Sequence, residues 1–351
     1  MTVEEPGSAT GGPEAHRSEA LLRVSGLQVD FATEHGWATV VKDVSFELHR
    51  NESIGLVGES GSGKSVTALS ILNLIPSPPG RISAGEILFD GRDLLKISAS
   101  AMRSVRANEI AMIFQEPSTS LNPAFTVGEQ IAETVRIHRD VKRSEAWERA
   151  VEVLDLVGIP SARSRSRDYP HQFSGGMAQR AMIAMAISCD PRVLIADEPT
   201  TALDVTIQAH VLELLRSLQD RFDMAVLLVT HDFGIVADFC ERALVMYAGE
   251  LVETAPAQEL FDRPLHPYTE GLLASMPQAG IETEDGLMWS IPGVVPLPYA
   301  MPSGCRLHPR CQYAVQPDCT VEPITLRAFD DDPGRQVRCC RASDLELRGV
   351  E

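Results

Sequence analysis

The apolar and polar positions of this 351-residue chain alternate between two periods, and the alternation predicts a mixed fold. Residues 21–29 read as a strand that ends at Phe31, followed by a loop over 32–37. Residues 39–48 read as a strand pair with a turn near Lys42-Asp43. A wholly apolar run over 53–57 predicts a buried strand, and 66–72 a helix. Pro76-Ser77-Pro78-Pro79-Gly80 breaks the chain. Residues 85–91 then predict a strand closed by an Asp-Gly turn, and 110–114 a short buried strand. From 127 to 157 the apolar residues Ile131, Val135, Ala150, Val153, Leu154 and Val157 recur at helical spacing until Gly158 and Pro160 stop them. Beyond them come a helix ending near residue 188, a strand over 192–196, a helix over 207–221, a strand over 225–229 and a hairpin around Ala248-Gly249. Strands separated by helices in this way predict an α/β class.

Chemistry enters between the predicted strand at 53–57 and the helix after it. Gly58-Glu59-Ser60-Gly61-Ser62-Gly63-Lys64-Ser65 has the spacing G-x-x-x-x-G-K-S, with Val66 next. In a strand–loop–helix context its backbone N–H groups and the helix N-terminus face phosphate oxygens. Lys64 is expected to reach the β- and γ-phosphates of ATP and Ser65 to coordinate Mg²⁺. Ser174-Gly175-Gly176 opens a second helix and forms a second phosphate-seeking end more than a hundred residues away, which suggests a composite site. Asp197-Glu198 ends an apolar strand, where two carboxylates are costly to bury unpaired. Mg²⁺ accounts for Asp197 and an attacking water for Glu198. Gln115 and His231 also follow buried strands, where either could face a metal or a phosphate. For the adenine ring the candidate is Phe31, with Trp37 in reserve.

Charge and composition narrow the partners. With 31 basic and 49 acidic residues the net charge is −18, which does not suit a duplex-DNA binder. No apolar run reaches the length of a membrane-spanning helix. Residues 1–20 lack the pattern of a signal peptide and are expected to be a disordered tail. Cys189 and Cys240 stand alone in apolar segments and are expected in the core. The other five cysteines fall between 305 and 340 in a Pro-rich stretch that reads as loop. Four of them are spaced Cys305-x5-Cys311-x7-Cys319-x19-Cys339. In a reducing compartment such thiols suit Zn²⁺ or an iron–sulfur cluster rather than disulfides, with free thiols as the remaining alternative.

Taken together, the loop at 58–65, Gln115, the signature Ser174-Gly175-Gly176-Met177-Ala178-Gln179-Arg180, Val193-Leu194-Ile195-Ala196-Asp197-Glu198, Leu203-Asp204 and His231 resemble the motifs of ATP-binding cassette ATPases, in order. Phe173 stands where that family usually has Leu. The resemblance implies a P-loop, RecA-like nucleotide-binding domain over 21–272, with an antiparallel β subdomain and a helical subdomain at about 116–180. It also implies two cassettes sandwiching two ATP molecules, so that Ser174, Gly175 and Gly176 contact the nucleotide on a partner. Glu198 would activate water, His231 would hold the γ-phosphate, and Ser65, Gln115 and Asp197 would serve Mg²⁺.

A second resemblance concerns the C-terminal part. Leu265-His266-Pro267-Tyr268-Thr269-Glu270-Gly271 and Gly304-Cys305-Arg306-Leu307-His308-Pro309-Arg310-Cys311 are similar to the extension of oligopeptide/dipeptide importer ATPases. That similarity implies a small Cys-rich extension over 273–351. It also implies a [4Fe–4S] cluster, with Cys339 rather than Cys340 as fourth ligand. The implied partners are a second cassette ATPase, either a paralogue or a second copy, and two transmembrane permease subunits. An extracytoplasmic peptide-binding protein would act indirectly. The implied location is the cytoplasmic face of the membrane. Import of nickel or an oligosaccharide is the alternative for the solute, and a soluble, non-transport cassette ATPase is a more distant one.

Overall fold

The computed structural model describes residues 20–116, 120–201, 204–276, 290–329 and 332–350. The tail expected at 1–20, apart from Ala20, lies outside these residues, and so does Leu203. In chain order the strands are β1 (Leu22–Thr33), β2 (Gly36–Leu48), β3 (Ser53–Val57), β4 (Gly80–Phe89), β5 (Arg92–Asp93), β6 (Ile110–Ile113), β7 (Val193–Asp197), β8 (Ala225–Thr230), β9 (Arg242–Tyr247), β10 (Glu250–Pro256), β11 (Arg327–Phe329) and β12 (Asp332–Val337). The helices are α1 (Lys64–Ile71), α2 (Ala99–Val105), α3 (Val127–His138), α4 (Arg143–Leu156), α5 (Ala162–Arg165), α6 (Gly175–Ile187), α7 (Val205–Phe222), α8 (Phe233–Phe239), α9 (Ala257–Asp262) and α10 (Pro267–Ala274).

Among the described residues the strands form two sheets. One has the order β2-β1-β4-β5 and the antiparallel pairing expected of the β subdomain. The other runs β11-β12-β10-β9-β3-β8-β7-β6, with β9, β3, β8, β7 and β6 in parallel register. Strands β3, β7 and β8 are buried at every position. A parallel strand covered on both faces needs apolar residues throughout, which is why these three read as unbroken runs. Their side chains still alternate. Leu194 and Ala196 face the core shared with α3, α4 and α6, whereas Val193 and Ile195 face the core shared with the antiparallel sheet.

Three expectations need correction. Residues 36–48 form one long strand, with no turn at Lys42-Asp43. Asp43 takes φ 51 and the β1–β2 register shifts between the Leu27↔Val44 and Val29↔Val41 pairs, which is a bulge. Second, the helical stretch at 127–157 is two helices, broken between Arg139 and Lys142, both of which are extended. The apolar spacing crosses the break undisturbed. The missed signal was Glu145, whose carboxylate accepts from the Lys142 N–H, three residues back, at the start of α4. Third, the C-terminal segment is not all loop. Its strand β12 pairs with β10 through Glu253↔Val337 and Thr254↔Gln336 and widens the main sheet.

Glu253 anchors that junction and is fully buried. Its carboxylate accepts from the N–H groups of Leu265 (2.8 Å) and His266 (2.9 Å), the Thr269 hydroxyl (2.6 Å) and Arg335 Nη2 (3.1 Å). Four donors on one buried carboxylate fix α10 and β12 against β10. No helix among the described residues is long and apolar enough to cross a membrane.

Candidate active site

The glycine-rich loop leaves the carboxyl end of β3 and enters α1. Gly58, Gly61 and Gly63 hold φ of 155, 79 and 106, angles that favour glycine. At Gly58 space adds to conformation, because a Cβ would lie 2.1 Å from the Met246 carbonyl oxygen. Lys64 is buried, and its Nζ donates to the carbonyls of Gly58 (2.8 Å) and Glu59 (3.0 Å). Burial pushes its pKa down, against the charges of Glu198, Asp197 and Glu59. Ser62 Oγ is buried without a hydrogen-bond partner among the described residues. An orphaned buried hydroxyl costs about 1–3 kcal/mol, and a ligand oxygen in the loop would offset it.

The neighbouring parallel strands bring their carboxyl ends to the same edge. Ser65 Oγ donates to Asp197 Oδ1 at 3.1 Å. Burial is the main influence holding the Asp197 carboxyl above its ordinary range, against the Ser65 hydrogen bond. A hydroxyl and a carboxylate in contact form the oxygen donor set of a hard divalent cation, so these residues fit Mg²⁺.

Glu198 is where the remaining groups meet. Its Oε2 accepts from Gln115 Nε2 (2.8 Å) and Thr201 Oγ1 (2.9 Å), and its Oε1 lies 3.3 Å from His231 Nδ1. Burial pushes this carboxyl upward. The Thr201 and His231 hydrogen bonds, with the charges of His231 and Lys64, outweigh that push and hold it below its usual range. Glu198 is therefore an anion near neutral pH. It also takes φ 49, a backbone conformation that costs a non-glycine residue about 1–3 kcal/mol. Its N–H donates to the Val229 carbonyl of β8 at 2.8 Å, which holds it there. The His231 side chain is 58% exposed at the rim.

Ser174 caps α6, its Oγ accepting from the Met177 N–H at 3.3 Å. The end of the helix is exposed at Ser174 and Gly175. Among the described residues no hydrogen bond joins it to the loop at 58–65, so the two phosphate-seeking ends are not brought together within this chain. Of the two aromatic candidates, Phe31 is half-buried against the core beneath the antiparallel sheet, whereas Trp37 is 54% exposed with the Arg81 guanidinium over its ring. Val66 is half-buried on α1 and packs into the same core. Asp204 caps α7 by accepting from the Ile207 N–H.

Three contacts at the site escaped the sequence. Thr201 binds Glu198, Tyr268 Oη accepts from the Glu59 N–H (2.8 Å), and Arg310 pairs with the Glu59 carboxylate (2.8 and 3.1 Å). Tyr268 and Arg310 do lie in the two segments that carried the second resemblance, but 209 and 251 residues from Glu59 no spacing reveals the contact.

The five C-terminal cysteines all line one cavity beside His266. Cys319 Sγ and Cys340 Sγ are 3.6 Å apart, so the direct thiol contact is made by Cys340 and not by Cys339, the expected ligand. Burial pushes the thiols of Cys305 and Cys339 up to about 12 and about 11. Among the described residues no three His, Cys, Asp or Glu side chains form a group that could hold a metal ion. The donors have the chemistry of a thiolate-bound metal, and their positions do not form the centre. Cys189 and Cys240 are buried, as expected.

Comparison with known proteins agrees with this geometry. A family model described as ABC transporter matches residues 41–201, and one described as Oligopeptide/dipeptide transporter, C-terminal region, matches residues 252–319. A Brucella abortus (strain 2308) protein is 50% identical over 323 residues, covering 92% of this chain and 95% of its own length. One from Brucella melitensis (strain 16M) is 51% identical over 336 residues, covering 93% and 98%. Both carry the provisional name peptide import ATP-binding protein. The dimeric structure of MJ0796, a bacterial ABC transporter cassette, superposes with a TM-score of 0.60 at 26% identity over 67% of this chain and 98% of that one. The chain thus belongs to the ABC transporter family, as an ATP-binding ATPase of its oligopeptide/dipeptide importer branch.

Proposed function

We propose that this chain is the ATP-hydrolysing subunit of an importer for di- and oligopeptides. The observation that carries the chemistry is the convergence of Gln115, Thr201 and His231 on Glu198, beside the Ser65–Asp197 pair. In this reading the loop from Gly58 to Ser65 holds the phosphates and Lys64 turns its ammonium from the loop carbonyls toward them. Mg²⁺, held by Ser65 and Asp197 with Gln115 beside it, would supply positive charge at the β- and γ-phosphates. Glu198 accepts the proton of the attacking water, and His231 holds the γ-phosphate in line. Ser174, Gly175 and Gly176 complete the site of a second cassette, a role supported by the exposure of Ser174 and Gly175 at a capped helix end.

The extension supports the choice of peptide as solute, since it matches the family region described for oligopeptide and dipeptide transporters. Residues 21–272 act as the cassette and 273–351 as the extension. The partners are a second cassette ATPase and two transmembrane subunits at the cytoplasmic face of the membrane. For the cysteines the reading is a [4Fe–4S] cluster held by Cys305, Cys311, Cys319 and Cys339, with zinc as the alternative; the shared cavity supports it, and binding would require the four thiols to draw together with Cys339 replacing Cys340 beside Cys319.

The test is to tag the chain in its own host, solubilise the membranes, identify what co-purifies, and assay iron, sulfide and zinc in the same sample. Two polytopic subunits with a second cassette ATPase are the expected outcome. Recovery from the cytosol alone, with other partners, would overturn the transport reading. Replacing Cys305, Cys311 and Cys319 by Ser should abolish the metal content, and full content in that variant would remove the cluster assignment.

A further inference from the structure

The phosphate-binding loop is not held by the cassette alone. Arg310, on the short turn His308–Arg310 of the extension, has five N–H donors, and each meets an acceptor. Nη1 donates to Glu59 Oε2 (2.8 Å) and Tyr247 Oη (3.4 Å), Nη2 to Glu59 Oε1 (3.1 Å) and the Ile291 carbonyl (3.3 Å), and Nε to the Pro292 carbonyl (2.8 Å). The Arg310 side chain is only 6% exposed. A two-point pairing of a guanidinium with a carboxylate fixes orientation as well as distance.

Glu59, the second residue of the loop, is held at all its polar groups. Its carboxylate is on Arg310, its N–H donates to Tyr268 Oη, and its carbonyl accepts from Lys64 Nζ at 3.0 Å. Tyr268 packs against Tyr247 with ring centroids 4.6 Å apart, and Tyr247 is itself an Arg310 acceptor. The extension thus holds the Glu59 side chain through Arg310, Tyr268 of the cassette holds its N–H, and one of the two carbonyls that hold the Lys64 ammonium belongs to Glu59.

We propose that Arg310 is a positioning residue for ATP binding: through Glu59 it fixes the first half of the phosphate-binding loop, and the extension is in that sense part of the nucleotide site. This rests on the ATPase reading above. All five of its N–H donors are engaged by protein acceptors, so its effect is on affinity for nucleotide through the shape of the loop.

The test uses the full chain and equilibrium binding of Mg-ATP. Arg310→Lys keeps the charge and loses the fork, and Arg310→Met removes both. Glu59→Gln removes the carboxylate, and Arg338→Lys is the control. Arg338 also docks the extension, donating to the carbonyls of Leu251 (2.8 Å) and Ile324 (2.9 Å), but touches no residue of the loop. We expect Arg310→Lys to weaken Mg-ATP binding about tenfold, the size of a lost charge-assisted pair, with the nucleotide-free melting temperature close to wild type. Glu59→Gln should weaken it similarly, and the double variant no further, because both remove one contact. Arg338→Lys should bind as wild type. Wild-type affinity in Arg310→Lys would overturn the proposal, and so would additive losses in the double variant or an equal loss in Arg338→Lys. If the unmodified chain binds no Mg-ATP, the ATPase reading fails as well, which separates the two failures. Should Arg310→Met not fold, Arg310→Lys and Glu59→Gln still decide.

Discussion

The Gln179 side chain, buried on the signature helix α6, donates through Nε2 to the Pro199 carbonyl at 2.6 Å. Pro199 directly follows Glu198, so the helix that bears Ser174 and Gly175 is tied to the segment that aims the water-activating carboxylate. Gln179→Leu leaves that carbonyl without its buried partner. It should cost about 1–3 kcal/mol of stability and slow hydrolysis in the assembled transporter while ATP binding persists. Urea denaturation and turnover measurements check both, and an unchanged turnover rate would show that the tie carries no catalytic geometry.

Glu198→Gln keeps the size and one acceptor oxygen for Gln115 and Thr201, turns an N–H toward His231, and cannot accept a proton. ATP binding should be retained and hydrolysis should fall by about 10²–10⁴-fold, the usual contribution of a positioned general base. Near-normal turnover would refute the role given to Glu198.

How much of this was legible in the sequence depends on distance along the chain. The loop at 58–65 announces itself because one short segment supplies both the glycine turns and the helix N-terminus. Asp197, Glu198 and His231 could be placed at one edge of the sheet because parallel strands deliver their chemistry at their carboxyl ends, and an apolar run followed by an acid or a histidine marks such an end. The convergence of Gln115, Thr201 and His231 on one carboxylate was not legible, since it depends on the strand order β3-β8-β7-β6. The pairing of β12 with β10 was missed for a similar reason. Its partner lies across the whole extension, and Arg335 meets Glu253, and Arg338 the Leu251 carbonyl, only in three dimensions. The break between α3 and α4 escaped because the apolar residues on both sides serve the same core.

Gly175 and Gly176 offer a separation of structure from function. A Cβ at Gly175 would meet nothing within 4 Å, and one at Gly176 would meet only Ile207 at 3.5 Å, ordinary contact. Neither has a positive φ. The fold of this chain therefore gives no reason for glycine there, and Ala should be neutral or stabilising by about 0.5–1 kcal/mol in a helix. If these positions face a nucleotide held by a second cassette, Gly175→Ala and Gly176→Ala should fold normally and bind ATP, yet lose most hydrolysis in the assembled complex. Wild-type hydrolysis in both variants would remove the signature from the composite site.

His266 gives the stability of the extension a pH dependence. It is buried at the start of α10, where its Nδ1 accepts from the Tyr268 N–H (3.1 Å) and its own N–H donates to Glu253. Burial is the main cause that pushes its pKa down to about 3, with the Arg338 charge acting the same way against a backbone hydrogen bond to Arg338. An unfolded histidine titrates near 6.5. Between those values the unfolded chain binds a proton that the folded chain refuses, so the unfolded state gains as pH falls. The contribution is fully present above about pH 6.5 and is lost as pH falls toward 3, at up to about 1.4 kcal/mol per pH unit. Denaturation midpoints at pH 7.5, 6 and 5 should therefore fall more steeply for the wild type than for His266→Asn, which keeps a side-chain acceptor at the helix start and has nothing to protonate. Parallel slopes in the two proteins would mean that His266 is not kept neutral by the fold.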